Sequence, residues 1–282
     1  MKQLTTFLQP GSLDEALALL REHGDKARVL AGGTALVFAT ASTVEVLIDL
    51  RDAGMDWIEQ RDDGLHLGAM TSLDALRRHL GDELCAPLEA AGQAGSRILL
   101  NHITVGGNCV QVYAWSDLPV VLLCLGASFV LQGDAQRTVD AATLFAQPPS
   151  KLLTAGELLV EVVVPKAADG SGSAYLKHIR TDTDHSLASA AASVTLADGK
   201  VAAASVAVGA VRGRPQLLSG AAGSLTGKAP DADTLAEAGR LAAQEAKVMA
   251  DYRATSDYRK QLLGVLVEDA LVAAVERAGG AA

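Results

Sequence analysis

Two glycine pairs constrain the fold of this chain most: Ala31-Gly32-Gly33-Thr34, behind the apolar Val29-Leu30, and Thr104-Val105-Gly106-Gly107-Asn108, behind Ile98-Leu99-Leu100. Glycine has no Cβ, so it turns where other residues cannot and lets a second backbone or a ligand come close. Consecutive glycines also aim several backbone N–H groups at one point, an arrangement suited to an anion. Ordinary tight turns use the same pairs, so either segment alone is also read as a plain turn. Thr34, Thr104 and Asn108 add hydrogen-bonding side chains beside the glycines.

A chain of 282 residues makes one large or two modest domains, and the reading here is two. Its residues are 49% apolar, enough for a substantial core, and its net charge is -9 with no Lys/Arg cluster, which argues against nucleic acid and anionic membranes. The longest apolar stretch, residues 118–131, is broken by Pro119 and Gly126 and is shorter than the roughly 20 residues that cross a bilayer. Met1-Lys2-Gln3-Leu4-Thr5 does not open a secretory signal pattern. Cys85, Cys109 and Cys124 are too scattered for a disulfide framework or an iron-sulfur cluster, so a cytoplasmic protein is expected. The six histidines show no ligand spacing, and no metal site is expected.

The order of elements reads as mixed α and β. Ser12-Leu13-Asp14-Glu15 forms a capping box for a helix that Gly24 ends. Strands follow at 28–31, 46–48 and 65–67, and Thr71-Ser72 starts a helix through Leu80. Asp117-Leu118-Pro119 has the form of a helix start. Strands resume at 129–131 and 158–164, and residues 166–173 read as a linker. Asp198-Gly199 then joins two runs into a hairpin, residues 220–223 read as loop, and Thr234 and Ser256 start the last helices.

Neither a Gly-x-Gly-x-x-Gly fingerprint, a P-loop nor a Gly-x-Ser-x-Gly elbow is present, so standard dinucleotide, nucleoside-triphosphate and hydrolase sites are disfavoured. No catalytic residue is assigned, and function shifts toward a bound cofactor whose own atoms react. Asp117 suits either a ligand hydroxyl or a helix N-cap. Lys177, Arg180 and Asp184 place both signs of charge just past the linker, beside the expected inter-domain cleft.

The chain resembles the FAD-binding medium subunit of molybdenum hydroxylases, the family of carbon monoxide dehydrogenase flavoproteins and the xanthine dehydrogenase flavin domain. The likeness is carried by Leu30-Ala31-Gly32-Gly33-Thr34, by Thr104-Val105-Gly106-Gly107-Asn108, and by Ser116-Asp117-Leu118-Pro119 with Leu122-Leu123. It continues through 157–165 and 177–184 to Tyr258-Arg259. The resemblance implies an α+β fold: a two-part FAD-binding domain of the PCMH type over 1–168, with a break near 55–62, then a smaller domain over 169–282. That second domain is expected to hold a three-stranded antiparallel sheet and a helical bundle. By the same resemblance the FAD pyrophosphate is held by Ala31, Gly32, Gly33, Thr34 and Ala35 and by Thr104, Val105, Gly106, Gly107 and Asn108. Asp117, Leu159 and Lys177 are further cofactor contacts, and His185 is a candidate beside the flavin ring.

The resemblance also implies a role. FAD on this chain would take electrons from [2Fe-2S] clusters on a small iron-sulfur subunit, after hydroxylation at molybdopterin on a large subunit, and deliver them to an external acceptor. The assembly implied is a heterotrimer, with a dimer of heterotrimers as one form. Lys177 is expected to stabilise reduced, anionic flavin by charge complementarity. The chain departs from the family pattern at Ala35, at Asn101-His102 and at Tyr113-Ala114-Trp115, and Tyr113 and Trp115 are read as packing or subunit-interface residues. Two other readings stand beside this one: a self-contained FAD oxidoreductase of the same fold, which would need its own general base, and a non-catalytic assembly subunit with a degenerate FAD site.

Overall fold

A computed structural model describes residues 4–36, 44–81, 85–181 and 184–280. Its strands fall into three sheets that follow one another along the chain. β1 (Thr6–Leu8), α1 (Leu13–His23), β2 (Ala27–Leu30) and β3 (Val46–Asp49) make a parallel sheet in the order β1-β3-β2. Ser12 caps α1 by accepting from the Glu15 amide at 3.2 Å, and Ala16 and Leu17 turn its apolar face inward.

The next segment runs β4 (Ile58–Arg61), β5 (Gly64–Gly68), α2 (Leu73–Leu80), α3 (Ala86–Gln93), α4 (Arg97–Leu100), α5 (Val105–Val110) and α6 (Leu118–Cys124). It continues with β6 (Ser128–Gln132), β7 (Gln136–Asp140), α7 (Ala141–Ala146), α8 (Pro149–Leu152) and β8 (Leu158–Pro165). The five strands pair antiparallel in the order β4-β5-β8-β6-β7. On β8, Leu159, Val162 and Val164 join the core beneath the helices, while Leu158 and Val160 pack against α1 and the parallel sheet. The register shift opposite Val130 and Leu131 leaves Val160 as an extra residue and switches the faces, so that one strand walls both cores. Every residue of α6 is buried, because it packs on the helices of this unit and on the sheet that follows.

That last sheet holds β9 (Ser171–His178), β10 (Ala188–Ala197), β11 (Lys200–Gly209) and β12 (Gln216–Leu217), backed by α9 (Ser219–Gly223), α10 (Ala232–Glu245) and α11 (Ser256–Arg277). The Asp198-Gly199 hairpin forms as expected, with φ of 52° and 71° at its two turn residues. No helix among the described residues is long and apolar enough to cross a membrane.

Several sequence expectations are corrected. The sheet has four strands, not three, because the two-residue β12 adds to β11 through Ala207–Leu217 and Val208–Gln216, a pairing too short to leave a periodic signal. Strand β9 begins at Ser171, inside the expected linker, where small residues let α11 lie close. Residues 220–223 are helical: their first amides are capped by Glu245 from α10, at 3.2 Å from Gly220 and 3.0 Å from Ala221, a partner no local pattern reveals. The N-caps of the last two helices are Asp231 and Thr255 rather than Thr234 and Ser256. The second glycine pair lies in the first turn of α5 instead of a loop, with Thr104 as its N-cap.

Candidate functional site

The first glycine segment leaves the carboxyl end of β2, the edge of a parallel sheet where ligands characteristically bind. The carbonyl of Leu30 is tied down by the Leu50 amide at 2.9 Å, after which the chain turns with Gly33 at φ 76°. A Cβ on Gly32 would fall onto the His102 carbonyl oxygen, so only glycine lets this turn touch the segment that leads into α5. The amides of Gly32, Gly33 and Thr34 donate to no protein acceptor among the described residues. Residues 31–35 are half-buried, with these donors still available.

The second segment reaches the same place by another route. Residues 69–73 run beside 103–106: the Val105 amide donates to Thr71 O and the Gly106 amide to Ala69 O, both at 2.8 Å, and Leu73 N donates to Ile103 O at 2.9 Å. Gly107 N donates to Thr104 Oγ1 at 3.1 Å and Asn108 N to Thr104 O at 2.9 Å. All four amides of 105–108 are therefore committed inside the protein, whereas those of Gly32, Gly33 and Thr34 are not, among the described residues. What the second contributes is contact and a side chain. Gly107 faces Ala31, and Asn108 Oδ1 is buried without a hydrogen-bond partner. A native orphan acceptor of this kind calls for a partner outside the chain.

Asp117 sits at the start of α6 but does not cap it. Its carboxylate accepts a short hydrogen bond from the Tyr175 hydroxyl and pairs with Lys177 Nζ at 2.8 Å. Lys177 Nζ also donates to Gln93 O at 2.6 Å. Tyr175 and Lys177 are two apart on β9 and so share the face turned toward α6. Burial pushes the Asp117 carboxyl up, while Lys177, Tyr175 and Ser186 pull it back toward the charged form. Burial and the neighbouring Asp117 charge hold the Tyr175 phenol well above its ordinary value, so it stays a donor.

Leu159 lies 5% exposed in the core below α5 and α6. His185 is exposed and stacks on Trp115 with ring centroids 4.1 Å apart, and Trp115 in turn stacks on Tyr113 at 5.1 Å. Arg180 pairs with Asp184 at 2.8 Å, and residues 182 and 183 of the 177–184 segment lie outside the described residues. The fold thus gathers the two glycine segments and Asn108 at one contact, and Asp117 with Lys177 at another. Sequence reasoning missed Tyr175 and Ser186; the alternation of β9 around Lys177 was the available signal for Tyr175.

The chain matches two family models: "FAD binding domain in molybdopterin dehydrogenase" over residues 2–167, and "CO dehydrogenase flavoprotein C-terminal domain" over 173–274. It is 34% identical to the carbon monoxide dehydrogenase medium chain of Afipia carboxidovorans, covering 96% of this chain and 97% of that protein. Its structure is similar to carbon monoxide dehydrogenase from Hydrogenophaga pseudoflava, with a TM-score of 0.91, 30% identity and coverage of 97% of this chain and 98% of the other. Quinoline 2-oxidoreductase from Pseudomonas putida 86 is also similar, with a TM-score of 0.87, 27% identity and coverage of 98% of each chain.

Proposed function

Because the chain belongs to the family of FAD-binding medium subunits of molybdopterin dehydrogenases, we propose that it is the relay of such an enzyme. In this reading it receives electrons from [2Fe-2S] clusters of a small partner subunit, with molybdopterin on a large one, and passes them from FAD to an external acceptor. The observation that carries the reading is a donor-rich turn at 31–34 that meets Gly107, the neighbour in sequence of the unsatisfied Asn108. The residues present fit the cofactor: free amides for a pyrophosphate and an acceptor for a hydroxyl. When bound, FAD supplies both one- and two-electron chemistry, which matches single-electron donors to a two-electron acceptor.

The chain's own residues divide the work of holding it. Gly32, Gly33 and Thr34 bind the pyrophosphate through backbone amides, and Thr104 fixes the first turn of α5, in which Gly107 meets Ala31 and Asn108 follows. Asp117 is oriented by Tyr175 and Lys177 to accept from a ligand hydroxyl. Lys177 acts through Asp117 in this arrangement, since its charge is already matched there and its other partner is a carbonyl. Leu159 supports the floor from within the core, and His185 lines the ring end.

The test is spectroscopic. The purified chain reconstituted with FAD is expected to be yellow, and its flavin to be reduced only when both partner subunits and their substrate are added. Direct reduction by a small substrate would establish an independent oxidoreductase, and a colourless chain even within the complex would establish an assembly subunit. Gly32→Ala is expected to lower FAD affinity at least tenfold, about 1.4 kcal/mol, by forcing the two glycine segments apart.

A further inference from the structure

The last helix contributes a buried cation that the cofactor reading leaves unused. Arg259 is 2% exposed, and its Nη1 donates to two carbonyls from different loops, Leu187 O at 3.0 Å and Ala210 O at 2.5 Å. Its Nη2 lies 2.6 Å from Asp251 Oδ1, and Asp251 is also bound by Arg253. Arg253 in turn reaches the His185 and Ser186 carbonyls at 3.4 and 3.5 Å. Burial works against the charge of Asp251, yet hydrogen bonds from Arg253 and the adjacent charge of Arg259 hold its carboxyl well below the ordinary range.

One loop that Arg259 grips carries His185 of the aromatic stack, and the other is bonded to the segment that carries Tyr113 and Trp115. Leu187 follows His185 by two residues. Ala210 N donates to Ala114 O at 2.9 Å, and Ala114 stands between Tyr113 and Trp115. Ala210 makes this contact at φ 61°, a left-handed conformation that is strained for a non-glycine residue and persists only where its surroundings hold it. One guanidinium therefore sets the spacing between the loop bearing Trp115 and the loop bearing His185.

We propose that Arg259 is a positioning residue for the flavin-ring end of the site: by bridging Leu187 O and Ala210 O it holds His185 on Trp115 and so fixes the aromatic wall beside Asp117. The proposal rests on the FAD reading for the identity of the ring, and on the described contacts alone for the clamp. Lysine keeps the charge but lacks the planar fork that serves two carbonyls and a carboxylate together. The wall then loosens, while the pyrophosphate cradle, built from 31–34 and Asn108, is untouched.

The experiment compares FAD with ADP, which shares the pyrophosphate but lacks the isoalloxazine, on the full chain carrying Trp57→Phe so that Trp115 alone fluoresces. Arg259→Lys is expected to weaken FAD binding roughly tenfold, the range of one lost aromatic contact, and to leave ADP affinity within about twofold. Acrylamide quenching of Trp115 is expected to rise in the same variant without nucleotide. Arg253→Ala, which removes only the outer limb of the clamp, is expected to move both readouts in the same direction by less, and it decides the matter if Arg259→Lys does not fold. Equal loss of FAD and ADP would show a merely structural role and overturn the proposal, as would unchanged quenching of Trp115. A parent chain that binds neither nucleotide overturns the FAD reading and with it the ring assignment, while the quenching result still decides whether Arg259 clamps the stack.

Discussion

The pair Asp117 and Lys177 shows how a single buried charge is made tolerable. Each side chain is under a tenth exposed, and a carboxylate or ammonium alone in such a place costs several kcal/mol. Asp117→Asn leaves the Lys177 ammonium without its counter-charge, and a loss of about 3–5 kcal/mol is expected in urea denaturation. Replacing the whole cluster with apolar residues, Asp117→Leu with Lys177→Met and Tyr175→Phe, is expected to cost less than that one change, since no buried charge is then stranded and only the Gln93 carbonyl loses a donor. A larger cost for the triple variant would mean that the pair stabilises the fold by more than avoiding its own stranding. This is also where the sequence was only half legible. Asp117 and Lys177 stood out as charged residues at a helix start and a domain junction, but their partnership spans 60 positions and depends on the last sheet packing against α6.

Strands β4, β5 and β8 carry a second linked cluster, at the element scale. His66 on β5 is buried; its Nδ1 lies 2.5 Å from Glu161 Oε1 on β8 and its Nε2 2.9 Å from Asp63 Oδ1 in the β4–β5 turn. Burial disfavours the charged imidazole, but hydrogen bonds to the two carboxylates outweigh it and hold the folded-state pKa above the ordinary 6.5. A group raised on folding stabilises fully below its unfolded pKa and loses that contribution as pH rises through the folded value. The chain is therefore expected to lose stability as pH climbs from about 6.5 through the raised His66 value, and His66→Gln to flatten that part of a melting-temperature profile. An unchanged profile would show that Arg61, 2.9 Å from the same imidazole nitrogen, cancels the carboxylates.

At the scale of the whole molecule, the question is whether the two family segments behave as one body. β9 is the edge strand of the last sheet, and α3 from the preceding segment covers it. Glu89 on α3 accepts from the Tyr175 amide at 2.7 Å and from Arg277 Nη1 and Nη2 at 3.0 and 2.7 Å, while Arg277 also donates to Ser173 O. One carboxylate thus joins α3, β9 and α11. Glu89→Ala strands a strand amide and a largely buried guanidinium, and a loss of about 2–4 kcal/mol is expected. Calorimetry of the parent chain should show one cooperative transition that this variant lowers; two separate transitions in the parent would contradict the linkage.

The sequence by itself determined the order and kind of most elements, because capping residues, strand alternation and the Asp198-Gly199 turn act over a few residues and need no distant partner. With the resemblance it also pointed to both glycine segments and to Asp117 and Lys177. Which groups each one touches was set by packing. Gly32 lies against His102, seventy positions away, and the amides of 105–108 bond to Thr71, Ala69 and Thr104, while those of Gly32, Gly33 and Thr34 stay free of acceptors among the described residues. The Glu245 cap, the two-residue β12 and the Arg259 clamp escaped notice for the same physical reason. A hydrogen bond between groups far apart in the chain leaves no periodic trace; it exists only once packing has brought its donor and acceptor within about 3 Å of each other.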